Sequence, residues 1–162
     1  MKLTTRSLFT FLLVLSLMGL AGAFILQYGF HQEPCALCII DRILVILLAV
    51  IYLIALWHRP QKRGERVYSM IGFIIALLGI LVTSRHLWIM HLPPDQMPSC
   101  TAGFRYLLES MPFHEAFMTT LQSGECGKHN PIIFGVSTPA WTLLYFIILA
   151  AGNILGIKKG QP

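Results

Sequence analysis

The segment "HQEPCALCIIDR", from His31 to Arg42, carries two cysteines three positions apart, Cys35 and Cys38, and an arginine one helical turn after the second. A Cys-x-x-C pair serves either a metal or redox exchange. Zinc usually takes four ligands, and two such close pairs would be a strong zinc signal. The remaining cysteines, Cys100 and Cys126, are instead far apart, although His31, His91 and His129 could complete a ligand set. Inert disulfides are a third use. A disulfide across Cys-x-x-C closes a very small loop and constrains the unfolded chain little, so stapling explains Cys35 and Cys38 poorly. Redox exchange explains more. Cys38 would lie at the start of a helix, where unpaired backbone N–H groups favour a thiolate. Arg42 shares its helix face, and its fixed positive charge acts in the same sense. Such a thiolate is a good leaving group and a plausible donor to an electron acceptor. The plainer use of Arg42, snorkelling to a membrane rim, leaves the cysteine spacing unexplained.

The elements that must position these residues are membrane helices. Of 162 residues, 56% are hydrophobic and 12% charged; soluble domains carry roughly 25% charged residues. A bilayer core takes about 20 apolar residues per helix. Four runs qualify: 8–28, 38–57, 67–90 and 140–157. Strand-like alternation is absent from the sequence, which argues against a β-barrel. The expected fold is therefore an all-α, four-transmembrane-helix bundle, read as a single domain over 1–162. The first run also reads as a cleavable signal peptide, with a basic start and small residues at Ala21 and Ala23. Apolar residues continue through Phe24, Ile25 and Leu26, giving a span of membrane length, and we expect a retained helix.

Charge sets the orientation. Lys2 and Arg6 precede the first helix. His58, Arg59, Lys62, Arg63 and Arg66 fill the second connection, and Lys158 and Lys159 follow the last helix. Four helices put these clusters on one side, which the positive-inside rule makes cytoplasmic, with both termini there. The net charge of +5 is thus spread as topology signals rather than as a basic face, and no nucleic acid partner is expected. All four cysteines fall on the opposite, oxidising side, where an even count suggests disulfides. Cys100 and Cys126 lie in a long loop over about 92–139, a length that is usually functional or disordered. Within it "FRYLLESMPFHEAFM", Phe104 to Met118, would lie along the membrane surface or pack on the bundle.

Ionisable residues near a membrane core are functional candidates. Arg85 and His86 stand near the outer end of the third run. Helices two and three are antiparallel, so Arg42 and His86 can share a depth and polarise the oxygens of a small ligand entering from lipid. Arg85 serves equally well as an interfacial anchor, and Asp41 as an interfacial acid paired with Arg42. Gly152–Gly156, Gly19–Ala23 and Gly72–Ala76 give small-residue spacings that permit close helix contact, here expected within one bundle.

Together these residues resemble the DsbB family, bacterial inner-membrane thiol:quinone oxidoreductases. The resemblance covers most of the chain. It rests on "PCALCIIDR" at the outer start of helix two, "RHLWIMHLPP" leading to Cys100, "SGEC" with Cys126, and "TPAW" opening helix four. It implies a relay in which a reduced, periplasmic DsbA-like thiol oxidase is reoxidised by a loop disulfide, Cys100–Cys126. Cys100 would form the mixed disulfide, and Cys126 would then attack Cys35. Cys38, freed as a thiolate, would pass electrons to ubiquinone or menaquinone. Arg42 matches the family's quinone-site arginine. His86 matches a quinone-site histidine with a small gap in its spacing to Cys100. Asp41 stands where some relatives carry a longer acid. No metal is implied.

Two other functions fit parts of the pattern. An enzyme like vitamin K epoxide reductase also sets a Cys-x-x-C near quinone, but there the Cys-x-x-C usually follows the loop pair. A non-catalytic membrane protein with structural disulfides or zinc would be told apart by metal analysis and thiol counting.

Overall fold

Inside lipid, backbone N–H and C=O groups find no water, so an apolar run must satisfy them within itself as a helix. The computed structural model describes residues 5–29, 36–91, 132–133 and 135–159, with positions 110, 112, 114, 115 and 119. Four helices in it are long and apolar enough to cross a membrane. They are α1 (Thr5–Phe24), α2 (Ala36–His58), α3 (Lys62–Met90) and α4 (Thr138–Lys159). The four-helix membrane fold read from the sequence is the fold observed.

Helix ends differ from expectation in physical ways. The 29-residue α3 begins at Lys62 rather than Val67. Lys62, Arg63 and Arg66 are therefore helical, not part of a connection; a polar turn outside the membrane leaves no mark on hydropathy. The connection itself is short. Arg59 adopts a left-handed φ of 45°, a conformation that ends a helix abruptly, and Pro60 follows. At the other end of the bundle α1 passes into a π-helical turn, Ile25–Gly29. Before α4, β1 (Ile132–Ile133) and β2 (Val136–Ser137) pair antiparallel, with Ile132 opposite Ser137. Gly135 turns between them at φ 79°, which suits glycine. Two-residue strands are too short to show an alternating pattern, and the sequence reading missed them. Most of the 92–139 loop, including the 104–118 segment, lies outside the described residues apart from the positions named above.

Consecutive helices pack on one another, α3 most extensively on α4, and α1 also meets α4. The core gathers Leu8, Phe9 and Leu12 of α1 with Leu48 and Tyr52 of α2, Ala76 of α3, and Phe146 and Leu149 of α4. Polar Ser16, Ser69, Thr83 and Asn153 are buried as well, whereas Phe11, Leu17, Leu53, Ile74, Leu81, Ile147 and Leu155 are exposed. That sorting suits lipid outside and small or polar helix contacts inside. Asn153 donates to the Tyr52 hydroxyl at 2.7 Å and to the Leu149 carbonyl at 2.9 Å. The small-residue spacings serve packing within the bundle, as expected. A Cβ on Gly72 would meet Asn153, one on Gly152 would meet Leu12, and one on Gly156 would meet Ser69. Gly79, which those spacings do not include, is equally tight: its Cβ would run into the Phe146 ring.

Candidate functional site

The chemistry-bearing residues collect where α1 ends, α2 begins and α3 ends. Cys38 is the third residue of α2, within the turn whose N–H groups lack helical partners. It is partly buried and disulfide-bonded. Cys35, Cys100 and Cys126 lie outside the described residues, as do His31 and His129 of the zinc alternative. His91 follows α3, exposed, with Nδ1 2.8 Å from the Leu87 carbonyl.

Arg42 lies one turn further into α2, and α1 takes up its side chain. Nη1 donates to Oε1 of Gln27, and Nη2 donates to the Ala23 carbonyl at 3.1 Å. The guanidinium also stands 5.6 Å from the Phe24 ring centroid, a cation–π distance. Phe24 stacks on Tyr28 with centroids 6.2 Å apart. The π-helical turn carries Gln27 and Tyr28; an extra residue per turn alters which side chains a helix end presents, and such turns recur at functional sites.

Asp41 corrects the sequence reading. The sequence assigns it no separate role, its plainest use being an interfacial pair with Arg42. Instead it is buried at 6% exposure, and its carboxyl oxygens lie 3.3 and 3.4 Å from the Thr83 hydroxyl of α3. Adjacent helix positions point about 100° apart (3.6 residues per turn), so Asp41 meets α3 while Arg42 meets α1. No ion pair joins the two among the described residues.

His86 is buried at 1% exposure, one turn from Thr83 on the same α3 face. Since α2 and α3 run antiparallel, the Asp41–Thr83 contact fixes their register, which puts Cys38 and His86 at one level, a turn further out. Leu37, Ile40 and Ile89 pack around this level with Leu44 and Val82. Arg85 turns away, its guanidinium 5.8 Å from the Trp88 ring centroid, with Trp88 exposed. That geometry suits an interfacial anchor.

The described site thus holds a cysteine in a disulfide, a guanidinium clasped by a neighbouring helix, and a buried histidine. Sequence reasoning missed Gln27 and Thr83. A polar amide late in an apolar run was a usable signal for Gln27. Thr83 offered none, because threonine often bonds back within its own helix, as this one does at 2.8 Å to the Gly79 carbonyl.

Comparison with known proteins places the arrangement. The family model of disulfide bond formation protein DsbB matches residues 5–156. A disulfide bond formation protein B of Hahella chejuensis is 41% identical over 147 residues, covering 90% of this chain and 88% of the relative. The protein of that name in Nitrosococcus oceani is 36% identical over 152 residues, covering 92% and 89%. That of Acinetobacter baumannii is 35% identical over 151 residues, covering 92% and 88%. A match running from the first turn of α1 to the last turns of α4 spans every helix that builds the site, and the chain belongs to the DsbB family of disulfide bond formation proteins.

Proposed function

We propose that this protein is a thiol:quinone oxidoreductase of the bacterial inner membrane that makes disulfides for a periplasmic, DsbA-like thiol oxidase. Its cysteines face the periplasm and its termini the cytoplasm. The observation that carries this reading is the placement of Arg42, one turn inside a disulfide-bonded Cys38 and held against the lipid-exposed end of α1.

The residues fit a quinone. A guanidinium offers five N–H donors, and Gln27 and the Ala23 carbonyl engage one on each terminal nitrogen. Donors remain for a ligand oxygen. Phe24 and Tyr28 beside it are exposed on the bundle's outer surface and would border a lipid-side entrance for a planar, apolar molecule. Arg42 would hold one quinone oxygen from the α1 side, and His86, buried on α3 a turn further out at the level of Cys38, would serve as a second polar contact only where the quinone reaches past Cys38. Bound there, ubiquinone or menaquinone would accept two electrons and two protons.

The chain's own steps are thiol exchanges. Cys100 takes the client's thiolate in a mixed disulfide, and the client's second thiol resolves it. Cys126 attacks Cys35 of the Cys35–Cys38 disulfide and frees Cys38 as a thiolate; Cys100 then attacks Cys126, which reforms the loop disulfide and releases Cys35 as a thiol. The helix start and the Arg42 charge favour that anion. The test follows quinone absorbance with purified protein in detergent, reduced DsbA and a short-chain ubiquinone. Wild type should turn over, and Cys38→Ser and Cys100→Ser should each abolish turnover. Undiminished turnover in Cys38→Ser would overturn the proposed electron exit.

A further inference from the structure

We propose that Asp41 holds a proton and delivers it during quinone reduction, with Thr83 as its positioning residue; this deepens the function proposed above and rests on it. The inference starts from counting hydrogens. The Thr83 hydroxyl has one hydrogen and three oxygens in reach: the Gly79 carbonyl at 2.8 Å and the Asp41 carboxyl oxygens at 3.3 and 3.4 Å. The closest acceptor, Gly79, takes that hydrogen. With that hydrogen engaged, the hydroxyl's lone pairs face the carboxyl group at 3.3 and 3.4 Å and are open to a hydrogen from Asp41. A protonated Asp41 can then donate to Thr83 Oγ1, which donates to Gly79.

Surroundings support the same state. Asp41 is 6% exposed inside a membrane span, and its neighbour Arg42 is committed to α1. A buried carboxylate without a cation is costly, whereas a buried acid that donates its hydrogen is not. The other ionisable groups that the helices carry at this end, among the described residues, are Tyr28 after α1, Cys38 and Arg42 of α2, and Arg85, His86 and His91 at the end of α3.

Balance gives the proton a task. Oxidising a Cys35 thiol and a Cys38 thiolate to their disulfide releases two electrons and one proton. Two electrons and two protons are needed to make the hydroquinone. The missing proton is the one whose loss created the thiolate, and Asp41 lies one turn from Cys38 to supply it. Asp41 leaves the step as a carboxylate and regains a proton as client thiols are oxidised.

Infrared spectroscopy without quinone is the first test. The chain has two aspartates, Asp41 and Asp95. Protein labelled with carbon-13 at the aspartate carboxyls should show a protonated-carboxyl band near neutral pH. Asp41→Asn should remove it and Asp95→Asn should not. Absence of the band in folded wild type, or its survival in Asp41→Asn, would overturn the proposal. The second test mixes pre-reduced protein with a short-chain ubiquinone in a single turnover. Asp41→Asn should slow quinone reduction at least tenfold and leave disulfide exchange with reduced DsbA unchanged. Small weak acids should restore the rate. Thr83→Val should weaken delivery, and Thr83→Ser should recover it. An unchanged rate in Asp41→Asn would overturn proton delivery, as would a slowed rate that no weak acid restores. Failure of wild type to reduce any quinone would instead overturn the function proposed above and leave the infrared result standing.

Discussion

At the scale of single residues, two neighbours in one helix turn do different work because the turn rotates them toward different helices. Arg42 reaches α1 and Asp41 reaches α3. The sequence shows that both are ionisable residues in an apolar run, but not the rotation that separates them. A hydrogen bond to a charged group contributes about 1.5–3 kcal/mol. Arg42→Met should therefore raise the KM for a short-chain ubiquinone by roughly ten- to a hundredfold. Thiol exchange between the loop cysteines and DsbA should stay intact. Steady-state kinetics with quinone and client varied separately would check this. Gln27→Leu should give a smaller rise, since the Ala23 carbonyl and the Phe24 ring still hold the guanidinium. Equal KM values in wild type and Arg42→Met would remove Arg42 from the quinone site.

At the scale of elements, the α3–α4 seam works by close approach. Gly79 lies against the Phe146 ring, so Gly79→Val should overpack the seam and cost about 1–3 kcal/mol. Gly22 has nothing near its Cβ position, and Gly22→Ala should be neutral or slightly stabilising, because alanine is the better helix former. Thermal unfolding in detergent would rank the two. Asn153→Leu removes a buried interhelical bond to Tyr52 and should cost about 0.5–2 kcal/mol. The helices themselves were legible because spanning needs some 20 apolar residues. Their ends were less so. The charged first turn of α3 is helical without being apolar, and the π-helical turn after α1 has no sequence periodicity of its own. Gly72 and Ala76 were recognised as a pair, but Gly79 extends their stripe at a spacing of three, outside the small-x-x-x-small pattern.

At the scale of the whole molecule, polarity is inverted relative to a soluble domain, and charge is polarised along the bundle axis. His58, Arg59, Lys62, Arg63, Lys158 and Lys159 lie at one end, and the chemistry-bearing residues at the other. Single cysteines placed in a chain whose four native cysteines are replaced would report which end faces out. Glu115→Cys should react with a membrane-impermeant maleimide on intact cells, and Lys62→Cys only after permeabilisation. The reverse pattern would invert the proposed topology. Composition and charge clusters made this axis readable from sequence alone, because bilayer thickness and insertion bias act on long stretches rather than on single contacts. The site was readable only in part. Its members come from three helices, and their approach depends on helix rotation and register, which local sequence does not encode.

The clasp on Arg42 also bears on biogenesis. An arginine at the centre of an inserting helix costs about 2.5–3.5 kcal/mol and one nearer an end costs less because it snorkels; Arg42 is the seventh residue of the 23-residue α2. Its acceptors, Gln27 and the Ala23 carbonyl, belong to the helix synthesised before it. Because α1 is made first, both acceptors would be in place when α2 leaves the insertion machinery. The first two helices should therefore integrate as one hairpin. Gln27→Leu should lower the amount of α2 inserted in a glycosylation-mapping assay, and Arg42→Leu in the same chain should restore it.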